Sequence, residues 1–288
     1  MNMEKAGYDA VNLAVIVLAA ALFIYEFQDM DTVFSGMDLC QAAVLSGTVF
    51  IVHFIKAGRL YLALYESGPD LCTYLKIYCK VTPVSVVFPY KAGELFRIYG
   101  YGTKLKSLIR GIVIVVLDRF MDTMALLTII LLVRIFNGGH ISAFTYVLFL
   151  FLIFVLLIYL LYPGVYTFWK KYILKTKATE HKLAVLKILE LFHNVYQEMA
   201  HVSSGRGMIL YVMSLAAWTA EIGSLVLIGD AAADGTVSEM IAVYLESAMG
   251  NARSAELRQF VFVSVMMMTV VYAGIKLSER MTGKKGLR

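Results

Sequence analysis

Cysteine is almost missing from this sequence: Cys40, Cys72 and Cys79 are all there is. They are too few and too scattered for a disulfide framework, and their spacing fits no zinc site. Charge is scarce too, with Asp, Glu, Lys and Arg making up 16% of the 288 residues. The sequence contains no P-loop, no G-x-S-x-G, no His/Cys metal spacing and no acidic motif suited to Mg²⁺. No polar segment is long enough to form a catalytic domain. An enzyme reading therefore has little to rest on, and no cofactor or metal is expected.

Apolar side chains fill the space instead: 60% of residues are hydrophobic and mean hydropathy is +0.73. No soluble domain of this length needs so much apolar surface. Only helices and closed barrels satisfy their backbone within a bilayer. The composition predicts an all-α polytopic protein of the cell membrane. Six stretches approach the ~20 residues of a crossing helix: 11–27, 39–57, 112–133, 143–161, 208–228 and 260–275. Glu4, Lys5 and Asp9 precede the first, and no small-residue cleavage pattern follows it, so it reads as a retained span rather than a signal peptide.

The net charge of +5 matters through its placement, and nucleic acid is not expected as a partner. Lys and Arg gather at Lys56 and Arg59, between Lys91 and Arg110, over 169–187 and from Lys276 onward. The connections 29–38 and 230–239 are acidic. By the positive-inside rule both termini are cytoplasmic. Two further apolar segments, 71–88 and 237–250, each have both flanks on one side of the membrane by this charge pattern and are read as re-entrant. Each half, 1–137 and 138–288, then runs span, span, re-entrant segment, span, in inverted topology within one membrane domain. Many transporters are built this way. A short echo fits it: Ala92-Gly93-Glu94-Leu95 against Ser254-Ala255-Glu256-Leu257, with Arg97 and Arg258 just beyond. Residues 180–203 have helical apolar spacing (Val185, Ile188, Leu189, Phe192, Val195, Tyr196, Met199) and predict an amphipathic helix in the cytoplasmic interface.

The chain is organised around 81–110. Here Pro83 and Pro89 each remove a backbone donor, and Gly93 can adopt dihedrals closed to other residues. The stretch reads as a re-entrant hairpin carrying Lys91, Glu94 and Arg97 to a cavity. A short span followed by a cytoplasmic loop is the alternative. Asp118, Arg119 and Asp122 lie inside the third span. The two Asp residues share a helix face, and Arg119 can pair with Asp122 at i+3. They serve either as a self-neutralising helix lock or as partners that balance Arg97 or Lys91 when substrate is absent. His53, Lys56 and Arg59 rise along the second span, where Arg59 reads as a snorkelling anchor. Glu221 lies among small residues in the fifth span and needs a partner or a proton.

Pro89-Tyr90-Lys91-Ala92-Gly93-Glu94-Leu95-Phe96-Arg97, then Ser107, then Leu117-Asp118-Arg119-Phe120-Met121-Asp122, resembles the lysylphosphatidylglycerol synthase transmembrane region, or flippase-like, family. That family's pattern is roughly P-x-x-x-G-E-x-x-R, a Ser-containing stretch, then E-R-x-x-D. The H-x-x-K-x-x-R end of the second span, with Tyr61, is similar as well. Asp118 stands in for the usual Glu. Ala248 to Arg253 replaces the family's Pro-Gly-Gly-rich turn. The resemblance implies a stand-alone flippase-like membrane protein, any aminoacyl transfer belonging to a separate soluble domain. It would move a phospholipid or a polyprenyl-phosphate-linked anionic headgroup between leaflets. The expected substrate-binding residues are Lys91, Glu94, Arg97, Asp118, Arg119, Asp122, His53, Lys56 and Glu221. Two other readings stay open: an integral-membrane transferase on a lipid-linked substrate, and a non-transporting partner of a lipid or glycan synthase. A homodimer or a synthase is the protein partner to test.

Overall fold

The computed structural model describes residues 2–29, 34–65, 70–88, 92–137, 143–175, 180–228, 241, 244 and 255–285, and every element among them is α-helical. In chain order they are α1 (Asn2–Glu26), α2 (Leu39–Leu64), α3 (Leu71–Val87), α4 (Gly93–Lys104), α5 (Leu108–Asn137), α6 (Ala143–Lys175), α7 (Glu180–Ser203), α8 (Gly207–Ile228) and α9 (Ala255–Lys285). Among the described residues, four stretches are long and apolar enough to cross a membrane: Leu39–Leu64, Thr145–Lys175, Gly207–Leu225 and Ala255–Met281. The expected first span falls on a shorter apolar stretch, Ala10–Glu26. The expected third lies in the 30-residue α5, with Asp118, Arg119 and Asp122 in its middle.

Local chemistry sets several boundaries. Asp38 caps α2 through a capping box in which Gln41 returns a bond to the Asp38 backbone. Asp70 caps α3 by accepting from the Thr73 amide at 3.1 Å. α2 packs most extensively on α8, α3 on α9, and α4 is held between α3 and α5. One apolar cluster joins α2, α3, α4, α5 and α9 through Leu60, Tyr74, Val81, Phe96, Ile114 and Met268. α6 stays outside this packing. Leu150, Phe154, Leu157 and Leu161 are exposed along it, as a lipid-facing helix requires.

The stretch 81–110 takes in the end of α3, all of α4 and the first residues of α5. Pro83 lies inside α3 and does not end it, while Pro89 and Lys91 lie outside the described residues. Gly93 corrects another expectation. The glycines with positive φ among the described residues are Gly36 and Gly205, so Gly93 is not there for a rare dihedral. It is there for space. A Cβ at Gly93 would collide with the Ser85 Cα and come within 2.9 Å of the Val84 carbonyl. Gly100 meets Val81 (2.6 Å to Cγ1), and Gly111 meets the Ile98 carbonyl (2.5 Å), in the same sense. Three helices thus cross at backbone distance, which fixes how α4 presents its side chains to α5.

The helix expected over 180–203 is α7, with those bounds. Its apolar stripe is buried only in part: Leu189, Val195, Tyr196 and Met199 are half-buried, whereas Val185, Ile188 and Phe192 are exposed. Of the second segment expected to be re-entrant, Ile241 and Tyr244 are described, and both are buried. The rest of 237–250 lies outside the described residues, as do 230–239.

Candidate functional site

The site begins on α5. Asp118 and Asp122 are one helical turn apart, so their carboxylates leave the same face. Arg59, from α2, meets both, and its guanidinium also donates to the Ser214 hydroxyl on α8. Arg97, from α4, donates to Asp118 Oδ2 and Glu94 Oε2, each at 2.9 Å. The close seat of Gly93 brings Ser85 within 3.1 Å of Glu94 Oε1, where its hydroxyl donates. Arg119 closes the ring through Asp118 Oδ2 at 3.1 Å, Asp122 Oδ2 at 3.5 Å and Glu94 Oε1 at 3.6 Å. Arg59, Arg97 and Arg119 face Glu94, Asp118 and Asp122, so the formal charges cancel. The planar fork of Arg suits such shared, multi-oxygen pairing. Cancellation also answers the cost of membrane charges, about 2.5–3.5 kcal/mol each when isolated at a helix centre.

The ring is open on one side. The Arg59 and Arg97 side chains are 3% exposed, whereas that of Arg119 is 40% exposed. A small cavity lined by Arg59, Asp118, Met121 and Leu210 adjoins the Arg59–Asp118 pair.

A second polar group lies one turn back along α2. Lys56 Nζ is 3.6 Å from Glu221 Oε2 and 5.3 Å from the Trp218 ring centroid, both on α8. The Tyr244 hydroxyl donates to Glu221 Oε1 at 2.7 Å. His53, deeper on α2, shares a 3.0 Å hydrogen bond with the Tyr78 hydroxyl, and Tyr74 donates to the Ala57 carbonyl at 2.8 Å.

Glu94, Arg97, Asp118, Arg119 and Asp122 therefore meet in one network, in which Asp118 and Glu94 both pair with Arg97. Lys56 and Glu221 form a neighbouring pair. His53 stands apart with Tyr78, and Lys91 lies outside the described residues. Arg59 is a correction: it does not snorkel to the interface but sits at the centre of the network. Two acceptors on one face of α5 offer its fork more than the interface does. Ser214 and Tyr244 were missed because a lone hydroxyl in an apolar run carries no pattern. Arg59 had one, its i+3 spacing from Lys56 and i+6 from His53. The echo of Glu94 and Arg97 does not extend to environment. Arg258 donates to the Glu26 carbonyl at 2.8 Å and lies over Phe27, and Glu256 is exposed.

The fold and site define a helical multi-pass membrane protein with a buried, self-neutralised arginine–carboxylate network. A family model, the lysylphosphatidylglycerol synthase TM region, matches residues 10–254, and the chain belongs to that family. No curated protein and no solved structure matches it.

Proposed function

We propose that this protein moves lipids with an anionic headgroup, a phospholipid or a lipid-linked phosphate, from one leaflet to the other. The observation that carries the reading is the balanced network itself. Its carboxylates occupy the arginines as a phosphate would, and only Arg119 reaches outward. A headgroup enters past Arg119, its oxygens replace Glu94 and then Asp118 on Arg97, and the acyl or prenyl chains stay in the bilayer. Lys91, three residues before Glu94 in the sequence, is included in this reading as a further cation for the headgroup.

The dimensions of α3 and α4 support a re-entrant hairpin. At 17 and 12 residues they span about 26 and 18 Å, short of the ~30 Å hydrocarbon core. Inverted halves are supported by the pairing of α2 with α8, the second span of each. The cytoplasmic placement of both termini follows from the Lys/Arg distribution.

The test is translocation of labelled phosphatidylglycerol in liposomes, per folded molecule. Arg97→Ala should abolish it. Arg97→Lys should lose about tenfold or more, because it keeps the charge and loses the fork. Glu94→Gln should slow transport while sparing headgroup affinity. Wild-type rates in all three variants would end the reading. Product formed from a lipid-linked donor would make the protein a transferase instead.

A further inference from the structure

Two neutral charge groups meet on α2. In the arginine network every carboxylate is gripped by at least one guanidinium, which does not lose its proton in proteins. Protonating Asp118, Asp122 or Glu94 means breaking those bonds. Glu221 is held differently. Its side chain is 4% exposed, its cation is a lysine at 3.6 Å, and Oε2 accepts no hydrogen bond among the described residues. The Tyr244 hydroxyl holds Oε1 from the other side. The Lys56 side chain is 20% exposed, so the pair is not sealed inside the protein. Among the described residues, the other charged groups facing this site are Asp122 of α5, toward Glu221, and Glu256 of α9, toward Tyr244, with His53 beside Lys56 on α2.

We propose that Glu221 carries a proton whose uptake charges the site for an anionic headgroup. The proton comes from water and lands on Oε2, the oxygen that Tyr244 leaves free. The Tyr244 donation to Oε1 persists, because that oxygen becomes the carbonyl of the acid. The ion pair with Lys56 ends, and Lys56 remains as an unmatched cation one turn from Arg59. The buried site, neutral before, then holds one excess positive charge. A headgroup with one negative charge restores balance, so one proton accompanies one headgroup. This rests on the anionic-headgroup reading above and adds to it a source of directionality. It also gives the small residues Ala217 and Ala220, which pack with Val49 and Val52 of α2, a use: they let α8 sit close enough to α2 for Lys56 to reach.

Two measurements separate this inference from the reading beneath it. The first is infrared difference spectroscopy of the purified protein in phosphatidylcholine nanodiscs as pH is lowered. A protonated-carboxyl band should grow in the wild type, be absent in Glu221→Gln and persist, shifted, in Glu221→Asp. The second is translocation of labelled phosphatidylglycerol in phosphatidylcholine liposomes, per folded molecule. The wild type should speed up by about tenfold or more on acidification, the effect of one added hydrogen bond between ionised partners. Glu221→Gln should show no pH response and no response to a proton gradient, and Glu221→Asp should keep both. A titrating band lost in Glu221→Gln, with translocation absent even in the wild type, overturns the headgroup reading and leaves the proton site. A wild type that translocates without any titrating band overturns the proton site. So does a Glu221→Gln variant with the wild-type pH response.

Discussion

Arg59 and Lys56 are one turn apart on α2 and live in different chemistry. Arg59 is shared by Asp118, Asp122 and Ser214 on two other helices, and its charge is locked into a ring of three arginines and three carboxylates. Lys56 faces one carboxylate, Glu221, beyond hydrogen-bond distance, with a tryptophan ring beneath it. The difference follows from the head groups. A guanidinium offers five donors in a fixed plane and can bind three helices at once, whereas an ammonium is a compact charge that a single partner can release. The first arrangement suits holding helices and gripping phosphate, the second suits exchange.

The largest expected effect breaks the locked side. Arg59→Ala leaves two buried carboxylates without their central cation, and removal of one partner of a buried pair costs about 3–5 kcal/mol. Thermal unfolding in detergent should show a large fall or no folded protein. Lys56→Ala should fall less, because its side chain is less deeply buried and pairs with a single carboxylate at 3.6 Å. Equal losses would erase the distinction.

Next comes the scaffold that seats α4. Gly93→Ala should cost about 1–3 kcal/mol, since the methyl would press on the Ser85 backbone and not on a movable side chain. Ser85→Ala, which removes one hydrogen bond to Glu94, should cost about 1 kcal/mol. The same unfolding assay reads both, and a neutral Gly93→Ala would mean the crossing is looser than described.

The carboxylates sharpen the comparison further. Asp118→Asn and Asp122→Asn share Arg59 and Arg119, so their effects should be coupled, by about 0.5–3 kcal/mol in a double-mutant cycle. Simple additivity would say that the two sites act separately.

The smallest effect is expected at Lys170 and Glu190, a lysine–carboxylate pair like Lys56 and Glu221 but in the open, bonded at 2.8 Å. The hydrogen bond from Lys170 holds the Glu190 carboxyl below its ordinary value. A lowered carboxylate contributes stability above its unfolded pKa and loses it as pH falls through the folded one. The contribution therefore fades only below the ordinary glutamate range. Glu190→Gln should be indistinguishable from wild type near neutral pH, as exposed pairs generally are. A marked change there would show that burial is not what separates the two lysines.

Much of this is legible in the sequence. The bounds of α7, the long apolar helices and the pairing of Arg119 with Asp122 follow from spacing along one helix. The meeting of Arg97 with Asp118 was one of two options that charge balance left open. Arg59 was misread because its partners lie on other helices, some 60 and 155 positions away. Gly93 was read through its own dihedrals, whereas its reason is the neighbouring backbone.

Composition and hydropathy alone determine that this chain is helical and belongs in a membrane, because hydrocarbon tolerates no unpaired backbone and apolar runs near ~20 residues fit a crossing helix and not a strand. The sequence also determines which charges are too costly to be idle. Tertiary structure alone decides who neutralises whom. Periodicity orders residues along one helix, but an ion pair between helices depends on crossing points, and those are set by close contacts such as Gly93 on Ser85 and Gly111 on Ile98.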